Sequence, residues 1–220
     1  MSALFNVKMT KRTKLIIDRL REKYPDAECT LNFGGDPWRL LVMGILSAQC
    51  KDERVNIVCE GLFDRFPDCA AMSEADVNEV EEYIKPCGLY RTKAGNIVRA
   101  SKMIMDVFGG KVPENMDDLT SLPGVGRKIG NLMLGDCFGK PGIVTDTHCI
   151  RICGRLGFYS EELKDPYKIE TVLTKAIPYE ERASFCHRIV DFGREICTAR
   201  SPKCGECMFA DICGHGKETK

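Results

Sequence analysis

The sequence predicts an all-α protein, and three observations support this fold class. Apolar residues recur at helical spacing through most of the 220 residues. Signals that begin helices precede several of these stretches, as where Asp36 stands before Pro37. No segment shows a convincing alternation of apolar and polar residues, which would indicate a half-buried β-strand. We therefore expect helices alone to build the core.

The individual helices are placed by their end signals. Ser73 followed by Asp76 resembles a capping box, which predicts that a helix begins there. Gly109 and Gly110 follow the longest amphipathic stretch, and glycine readily takes the left-handed conformation that ends a helix. The predicted helices span about 37–46, 73–83, 92–108, 126–137, 146–156, 166–176, 180–197 and 207–212.

The charge balance argues against one class of function. Lys plus Arg and Asp plus Glu number 32 each, so the formal net charge is zero. A protein held to a polyanion by overall charge alone would be strongly basic. An enzyme that grips a few phosphates through a local cluster of basic residues is compatible with this balance.

Hydropathy and cysteine usage indicate the compartment. Residues 1–14 are polar and basic and lack the apolar core of a secretory signal. The longest apolar run, Leu40 to Leu46, is too short to span a bilayer. The thirteen cysteines therefore point to a reducing cytoplasm rather than a disulfide framework. Nine of them, scattered from Cys29 to Cys186, are predicted to be small apolar core residues.

The other four cysteines crowd into seventeen residues with the spacing C-x6-C-x2-C-x5-C, at Cys197, Cys204, Cys207 and Cys213. Four thiolates can hold Zn²⁺ or an iron–sulfur cluster. Only the middle pair makes the short knuckle that structural zinc sites usually contain twice, and the spacing also differs from common ferredoxin patterns. The residues alone therefore predict a four-thiolate metal site and leave the metal open.

A second motif is a glycine-rich turn followed by two basic residues, Leu122-Pro123-Gly124-Val125-Gly126-Arg127-Lys128. The glycines let the backbone turn tightly and keep Cβ atoms away from an approaching ligand. The helix that begins here has unpaired N–H groups and a dipole that favour an anion such as a DNA phosphate. An ordinary turn between helices is the alternative, and the adjoining basic pair favours the phosphate site.

Five segments together resemble the helix–hairpin–helix DNA glycosylases, and the endonuclease III family most closely. They stand in the family's order: Ser47-Ala48-Gln49, Cys87-Gly88-Leu89-Tyr90 with Lys93, Leu122 to Lys128, Val144-Thr145-Asp146-Thr147-His148, and the cysteine tail. The resemblance implies an all-α fold of two helical lobes with the active-site cleft between them. Residues 30–140 would form a six-helix domain with the helix–hairpin–helix at about 117–137. Residues 1–29 and 141–220 would form an iron–sulfur cluster domain.

The resemblance also implies a function. An enzyme of this family removes oxidised pyrimidines from duplex DNA in base excision repair, and cleaves the abasic strand by β-elimination through a lysine Schiff base. The four terminal cysteines would hold a [4Fe–4S] cluster. We therefore expect duplex DNA with a damaged base or abasic site as the partner. We also expect a monomer without membrane contact, located in the cytoplasm of a bacterium or archaeon and associated with the nucleoid.

In the family's pattern Lys128 attacks C1′ of the damaged nucleotide and Asp146 assists. A helix over 126–137 rises about 14 Å, and the eight following residues can extend about 27 Å, so the chain is long enough to return Asp146 to Lys128. An amine attacks only when neutral, and the helix dipole contributes just about 0.3–1 kcal/mol toward that form. We therefore expect a largely buried Lys128, at least once DNA is bound. Helix N-capping is the alternative role for Asp146, and one carboxylate can do both.

Reaching a base inside a duplex requires turning the nucleotide out of the stack, and a side chain must fill the gap. By resemblance, Gln49 and Leu89 hold the positions that do this. A helix-terminal amide and a core leucine are their alternative interpretations. The predicted contacts to the DNA backbone are the hairpin residues and cations near the cysteine tail: Pro123, Gly124, Val125, Gly126, Arg127, Arg194, Arg200 and Lys203.

Three stretches depart from the family's pattern and leave the substrate preference open. Ile129-Gly130 replaces a small polar residue and an alanine, Cys50-Lys51 replaces a short residue and threonine, and Asp191-Phe192 stands between a family-like histidine and Gly-Arg. Gly130 inside a helix costs about 1 kcal/mol relative to alanine, which predicts close packing or a close backbone approach there.

Three other functions are compatible with parts of this pattern. A monofunctional mismatch-specific glycosylase of the same superfamily lacks the amine that Lys128 supplies, and a non-catalytic helix–hairpin–helix DNA-binding protein would need neither Lys128 nor Asp146. A structural protein held by zinc would use the cysteine tail alone.

Overall fold

The structure is a computed structural model that describes residues 9–218. It contains helices and no β-strand within this range, which confirms the predicted all-α class. The helices are α1 (Lys11–Lys23), α2 (Pro37–Leu46), α3 (Asp52–Arg65), α4 (Cys69–Ser73), α5 (Val77–Ile84), α6 (Tyr90–Phe108), α7 (Met116–Ser121), α8 (Arg127–Asp136), α9 (Thr147–Arg155), α10 (Pro166–Ala176), α11 (Arg182–Glu195) and α12 (His215–Glu218). Short 3-10 turns lie at Lys85–Cys87, Tyr179–Glu181 and Cys204–Glu206.

Aspartate side chains begin many of these helices by accepting hydrogen bonds from first-turn amides, at Asp36, Asp68, Asp76, Asp146 and Asp165. The capping box expected at Ser73 is wrong. Ser73 ends α4, and its hydroxyl donates to the carbonyl of Ala70 at 2.7 Å, while Asp76 alone caps α5. The helix expected at 207–212 is also wrong, because residues 208–212 form successive turns between two cysteines.

The first of two compact units, which we call the hairpin unit, spans Cys29–Lys140. Its long helix α6 packs against α2, α4 and α5. The indole of Trp38 lies in this core and donates to the hydroxyl of Ser101 at 3.0 Å, so the buried polar atom of α2 has its partner on α6. The α7–turn–α8 segment completes the unit, with α8 packed on α2 and α7.

The second unit, which we call the cysteine unit, comprises Met1–Glu28 and Pro141–Lys220. Helix α11 is its centre, because both α1 and α9 pack against it. Phe192 on α11 meets Phe209 of the cysteine tail edge to face, with ring centroids 5.3 Å apart, and both rings are fully buried. The tail is thereby anchored to the core of this unit.

The scattered cysteines largely fill the cores, as predicted. Cys59, Cys69, Cys87, Cys149, Cys153 and Cys186 are buried, whereas Cys29, Cys50 and Cys137 are half-buried. Burial raises the pKa of the Cys59 thiol to about 12, so this side chain stays protonated and inert. None of the helices described here is long and apolar enough to cross a membrane.

Candidate functional site

The hairpin between α7 and α8 turns where the two glycines predicted it. Gly124 has φ +82°, and an added Cβ would lie 2.9 Å from the amide nitrogen of Asn96, so glycine is required for both conformation and space. The amide of Val125 donates to the carbonyl of Leu122 at 3.1 Å and closes the turn. Val125 is only 6% exposed and its side chain belongs to the core, so this residue offers a ligand its backbone alone.

Helix α8 begins without a side-chain cap. Its N-cap is Gly126, which has φ −100° and open space around the position of a Cβ. Arg127 and Lys128 follow in the first turn, and both side chains are exposed. No side chain of the N-cap residue therefore covers the first-turn amides, and two cations stand beside them. This is the arrangement that binds an anion at a helix N-terminus.

Lys128 is exposed, so the expected burial does not describe the chain without DNA. The next two residues fix α8 from its inner side. Ile129 packs so closely on α2 that a Cβ at Gly44 would lie 3.1 Å from its Cγ2, and a Cβ at Gly130 would lie 2.7 Å from the sulfur of Met116 on α7. The departures at Ile129 and Gly130 therefore serve close helix packing, as expected for Gly130, and leave the adjoining amine in solvent.

Asp146 is half-buried and caps α9, with its carboxylate accepting from the amide of Cys149 at 2.6 Å. The segment before it is also held, since Thr145 is buried and the amide of Val144 donates to the sulfur of Cys186 at 3.3 Å. The carboxylate consequently has a fixed position at the start of its helix. Lys128 belongs to the hairpin unit, and Asp146 belongs to the cysteine unit.

Gln49 and Leu89 share a conformation that no other non-glycine residue adopts among residues 9–218. Their φ angles are +55° and +48°. A left-handed backbone is uncommon outside glycine and, for a bulky residue such as leucine, costs about 1 kcal/mol or more, so it often marks a functional site. Gln49 is exposed in the turn after α2, and Leu89 is 59% exposed just before α6. The interpretation of Leu89 as a core leucine is therefore wrong.

The four terminal cysteines line one cavity of about 300 Å³ in the cysteine unit. None of the four is in a disulfide. Buried apolar residues, Leu156 and Phe192, form part of the wall, and Arg155 and His215 also line it. The donor set and the space fit a metal group bound by four thiolates.

Arginines hold the backbone of the cysteine tail, and the sequence-based reasoning missed them. Arg151 on α9 donates twice to the carbonyl of Cys197, at 2.9 and 3.2 Å. One turn later, Arg155 donates to the carbonyls of Thr198 and Ala199 at 2.9 and 3.2 Å, and to the sulfur of Cys197 at 3.4 Å. The signal was present as two arginines four positions apart, which share one helix face.

Helix α1 contributes two more arginines to the same tail. Arg12 donates to the carbonyl of Ile212 at 2.7 Å, and Arg19 donates to both carboxylate oxygens of Asp211 at 2.6 and 2.9 Å. The three cations expected to meet DNA near the tail, Arg194, Arg200 and Lys203, are all exposed. The tail is thus held by arginines of α1 and α9, and it exposes two cations, Arg200 and Lys203, beside the acidic Glu206 and Asp211.

Family models match two segments of the chain. Residues 42–179 match the HhH-GPD superfamily of base excision DNA repair proteins. Residues 197–213, which begin and end at the first and last cysteine of the tail, match the iron–sulfur binding domain of endonuclease III. The chain belongs to the endonuclease III family.

Curated relatives extend this match to almost the whole chain. Endonuclease III of Synechocystis sp. is 43% identical over 97% of this chain and 97% of its own length. Endonuclease III of Escherichia coli is 40% identical over 93% of this chain and 96% of its own length. The enzyme of Bacillus subtilis is 39% identical, with 94% of each chain covered.

Solved structures of endonuclease III share the fold. A non-covalent endonuclease III–DNA complex superposes with a TM-score of 0.90 at 38% identity, covering 96% of this chain and 99% of the other. A trapped endonuclease III–DNA covalent intermediate superposes with a TM-score of 0.89 at the same identity and coverage. The predicted family, fold class and cofactor are confirmed. The chain is a base-excision-repair enzyme, a bifunctional DNA glycosylase and abasic-site lyase that carries a [4Fe–4S] cluster.

Proposed function

We propose that this endonuclease III family member removes oxidised pyrimidines from duplex DNA, with Lys128 as the nucleophile and Asp146 as the group that assists it. The observation that carries this proposal is the place of Lys128, an exposed amine in the first turn of α8. A phosphate bound at the preceding turn would bring its own nucleotide next to the amine. The solved relative that was trapped as a covalent intermediate with DNA supports a covalent route.

The reaction then has two parts. The Nζ of Lys128 attacks C1′, the glycosidic C–N bond breaks, and the base leaves with the bonding electrons and takes up a proton. The sugar ring opens to a Schiff base, a proton is lost from C2′, and the C3′–O bond breaks, which nicks the strand on the 3′ side. Water releases the lysine. Asp146 stabilises the positive charge at the sugar and helps to move these protons.

Because Lys128 is exposed, we infer that the bound DNA itself removes water from the amine. The side chain of Lys128 is exposed in the described structure, and burial of an amine favours its neutral form. A nucleotide turned out of the stack would cover it and exclude water, which favours the neutral, reactive form. The substrate therefore supplies the desolvation that the nucleophile needs.

Two groups of residues would hold the DNA. Gln49 and Leu89 enter the stack where the nucleotide has left it, since both are exposed on turns with strained backbone. The backbone phosphates are bound by the hairpin amides and by exposed cations, from Pro123, Gly124, Val125, Gly126, Arg127, Arg194, Arg200 and Lys203.

The four cysteines that line the cavity would ligate the [4Fe–4S] cluster, and the cluster would fix the tail that carries Arg200 and Lys203. Cys207→Ala should therefore lose the brown visible absorption of the cluster. Cys137→Ala is the matched control, because Cys137 is also half-buried but lies in the hairpin unit. Full absorption in Cys207→Ala would contradict this ligand assignment.

We further assign residues 30–140 to the helix–hairpin–helix domain, and residues 1–29 with 141–220 to the cluster domain. We expect the enzyme to act as a monomer in the cytoplasm of a bacterium or archaeon, associated with the nucleoid. Size-exclusion chromatography with light scattering, with and without duplex DNA, tests the monomer.

The central experiment is borohydride trapping on duplex DNA that contains an abasic site or thymine glycol. Wild type should form a covalent adduct, and Lys128→Gln should form none. Lys111→Gln, which changes another exposed lysine of the hairpin unit, should trap like wild type. A persistent adduct in Lys128→Gln would defeat the nucleophile assignment. Base release without strand cleavage by Lys128→Gln would favour a monofunctional glycosylase instead.

A further inference from the structure

Lys93 is a buried cation in the first turn of α6. Its side chain is one of few charged groups in the core of the hairpin unit, with 4% exposure. The ammonium donates to the carbonyl of Leu46 and to the carbonyl of Cys87, each at 2.8 Å. These acceptors come from two segments that are far apart in the sequence, and the same ammonium binds both.

The two acceptors lie a few positions before the two residues with positive φ. Leu46 is the last residue of α2, three positions before Gln49, and Cys87 lies two positions before Leu89. Gln49 and Leu89 are the non-glycine residues with positive φ in the described part of the chain. Lys93 therefore connects the segments that present both of them.

The energetics argue against a role in general packing. An ammonium removed from water is costly unless hydrogen bonds compensate it, and an apolar side chain of similar size fills a core more cheaply. Position in the helix does not favour it either, because the first turn of α6 is the positive end of that helix. Burial indeed lowers the pKa of Lys93. What favours it is the carbonyl end of α2, where acceptors lie beyond the helix's own hydrogen bonds and the dipole attracts a cation.

We infer that Lys93 is a positioning residue, whose ammonium holds the turn of Gln49 and the turn of Leu89 at the spacing at which both side chains enter the DNA stack together. It touches no DNA itself. The inference rests on the proposed DNA contacts of Gln49 and Leu89. Its consequence is selective, since only a stacked duplex has a gap to fill. Loss of the ammonium should impair action on duplex DNA much more than on a single strand.

The test compares Lys93→Met with wild type, using the full chain with its cluster. Methionine keeps the length of the side chain and removes the donors. Borohydride trapping rates are measured on duplex and on single-stranded DNA with the same abasic site. We expect the duplex rate to fall about 10-fold or more, since two buried acceptors lose their partner, while the single-strand rate changes by less than about 3-fold. Lys102→Met, an exposed lysine on the same helix, should leave both rates unchanged.

A spectroscopic readout separates positioning from stability. With 2-aminopurine opposite the abasic site, wild type at saturation should raise the fluorescence by unstacking that base, and Lys93→Met at saturation should raise it much less. If Lys93→Met does not fold, Lys93→Gln, which keeps an amide donor, takes its place. Equal losses on duplex and single strand, an unchanged fluorescence response, or failure of both variants to fold would overturn the inference and assign Lys93 to general stability.

Gln49→Ala and Leu89→Ala show which proposal fails. If both leave the duplex rate unchanged, the proposed DNA contacts are wrong and the inference falls with them. If they lower the duplex rate but Lys93→Met does not, the inference alone is wrong. If Lys93 acts through Gln49, the loss caused by Gln49→Ala should shrink in the Lys93→Met background.

Discussion

Two helices of this enzyme begin in opposite ways. Helix α8 of the hairpin unit starts at Gly126, which has no side chain to cap the first turn. Helix α9 of the cysteine unit starts at Asp146, whose carboxylate accepts from the amide of Cys149 at 2.6 Å. Both helix N-termini have the same kinds of donor and the same positive dipole end, yet only at α9 does the side chain of the N-cap residue accept a hydrogen bond from the first turn.

The difference shows how one local feature serves two purposes. Gly126 brings no capping side chain to the start of α8, so an external anion can bind there, and we propose that this anion is a DNA phosphate. At the start of α9 the anion is internal, and the helix holds it in one orientation. We expect the first arrangement to contribute affinity for DNA and the second to contribute to the chemistry. Substitutions at the two N-caps should therefore affect different measurements.

Asp146→Asn should have the largest effect. Asparagine caps a helix about as well as aspartate, so folding and melting temperature should stay near those of wild type. The negative charge is lost, and with it the proton transfer, which should lower the single-turnover rate of base release and strand cleavage by about 100-fold or more. Single-turnover kinetics on thymine glycol DNA, beside a thermal melt, measure both.

Asp165→Asn is the matched control, because Asp165 caps α10 with a bond of 2.9 Å to the amide of Lys168. It should leave the rate and the melting temperature unchanged. Asp146→Ala should lose the cap as well and destabilise the protein by about 1 kcal/mol. An Asp146→Asn variant with full activity would reduce Asp146 to a cap and remove the contrast between the two helices.

Gly126→Asp tests the other helix. Open space surrounds this position and its φ is −100°, so an aspartate fits, caps α8 and should slightly stabilise the fold. It also puts a carboxylate where the phosphate would bind, and we expect affinity for abasic-site duplex to fall about 10-fold or more. Gly126→Ala, which adds a Cβ without charge, separates repulsion from bulk. Unchanged binding of Gly126→Asp, measured by fluorescence anisotropy, would show that no phosphate occupies this helix start.

The Arg151→Met substitution tests whether the hydrogen bonds of Arg151 hold the cysteine tail on α9. Arg151 makes two hydrogen bonds to the carbonyl of Cys197, so its loss leaves a half-buried acceptor without this partner. We expect destabilisation of about 1–3 kcal/mol, seen as earlier loss of visible absorption during urea titration. Arg91→Met changes an exposed arginine of the hairpin unit and should leave that midpoint unchanged. An unaltered midpoint in Arg151→Met would mean that the two hydrogen bonds of Arg151 do not help to hold the tail.

Features that depend only on residues close together in the sequence could be predicted. The turn at Gly124 needs glycine for its backbone angle, and the aspartate caps at Asp36 and Asp146 follow from the residues beside them. The helix predicted at 207–212 does not form, because the chain curves there around a cavity lined by cysteines. The spacing of apolar residues in the sequence gives no sign of that cavity. Lys128 is exposed without DNA, and its burial in the DNA complex stays a prediction.

Contacts between distant residues could not be predicted. Arg151 and Cys197 are 46 positions apart, and Lys93 and Leu46 are 47 apart. A lysine or arginine reads as a solvated surface residue until its partner is known. The positive φ of Leu89 was equally hidden, because leucine carries no local preference for that conformation. The residues that support the candidate site are therefore those whose roles are hardest to recognise from the sequence.

Arg200→Gln should have the smallest effect, and it tests whether the cysteine unit also contributes affinity. Arg200 is exposed on the tail, so its loss should weaken DNA binding only a few-fold near physiological salt. The slope of log K against log salt concentration should change by about 1, since one phosphate contact and its released counterion are lost. Lys175→Gln, an exposed lysine on α10, should leave the slope as in wild type. If Arg200→Gln also leaves it unchanged, Arg200 does not contact the duplex. Affinity for DNA would then depend on the hairpin unit. The contrast drawn between the starts of α8 and α9, one for affinity and one for chemistry, would then apply to the hairpin unit and the cysteine unit as wholes.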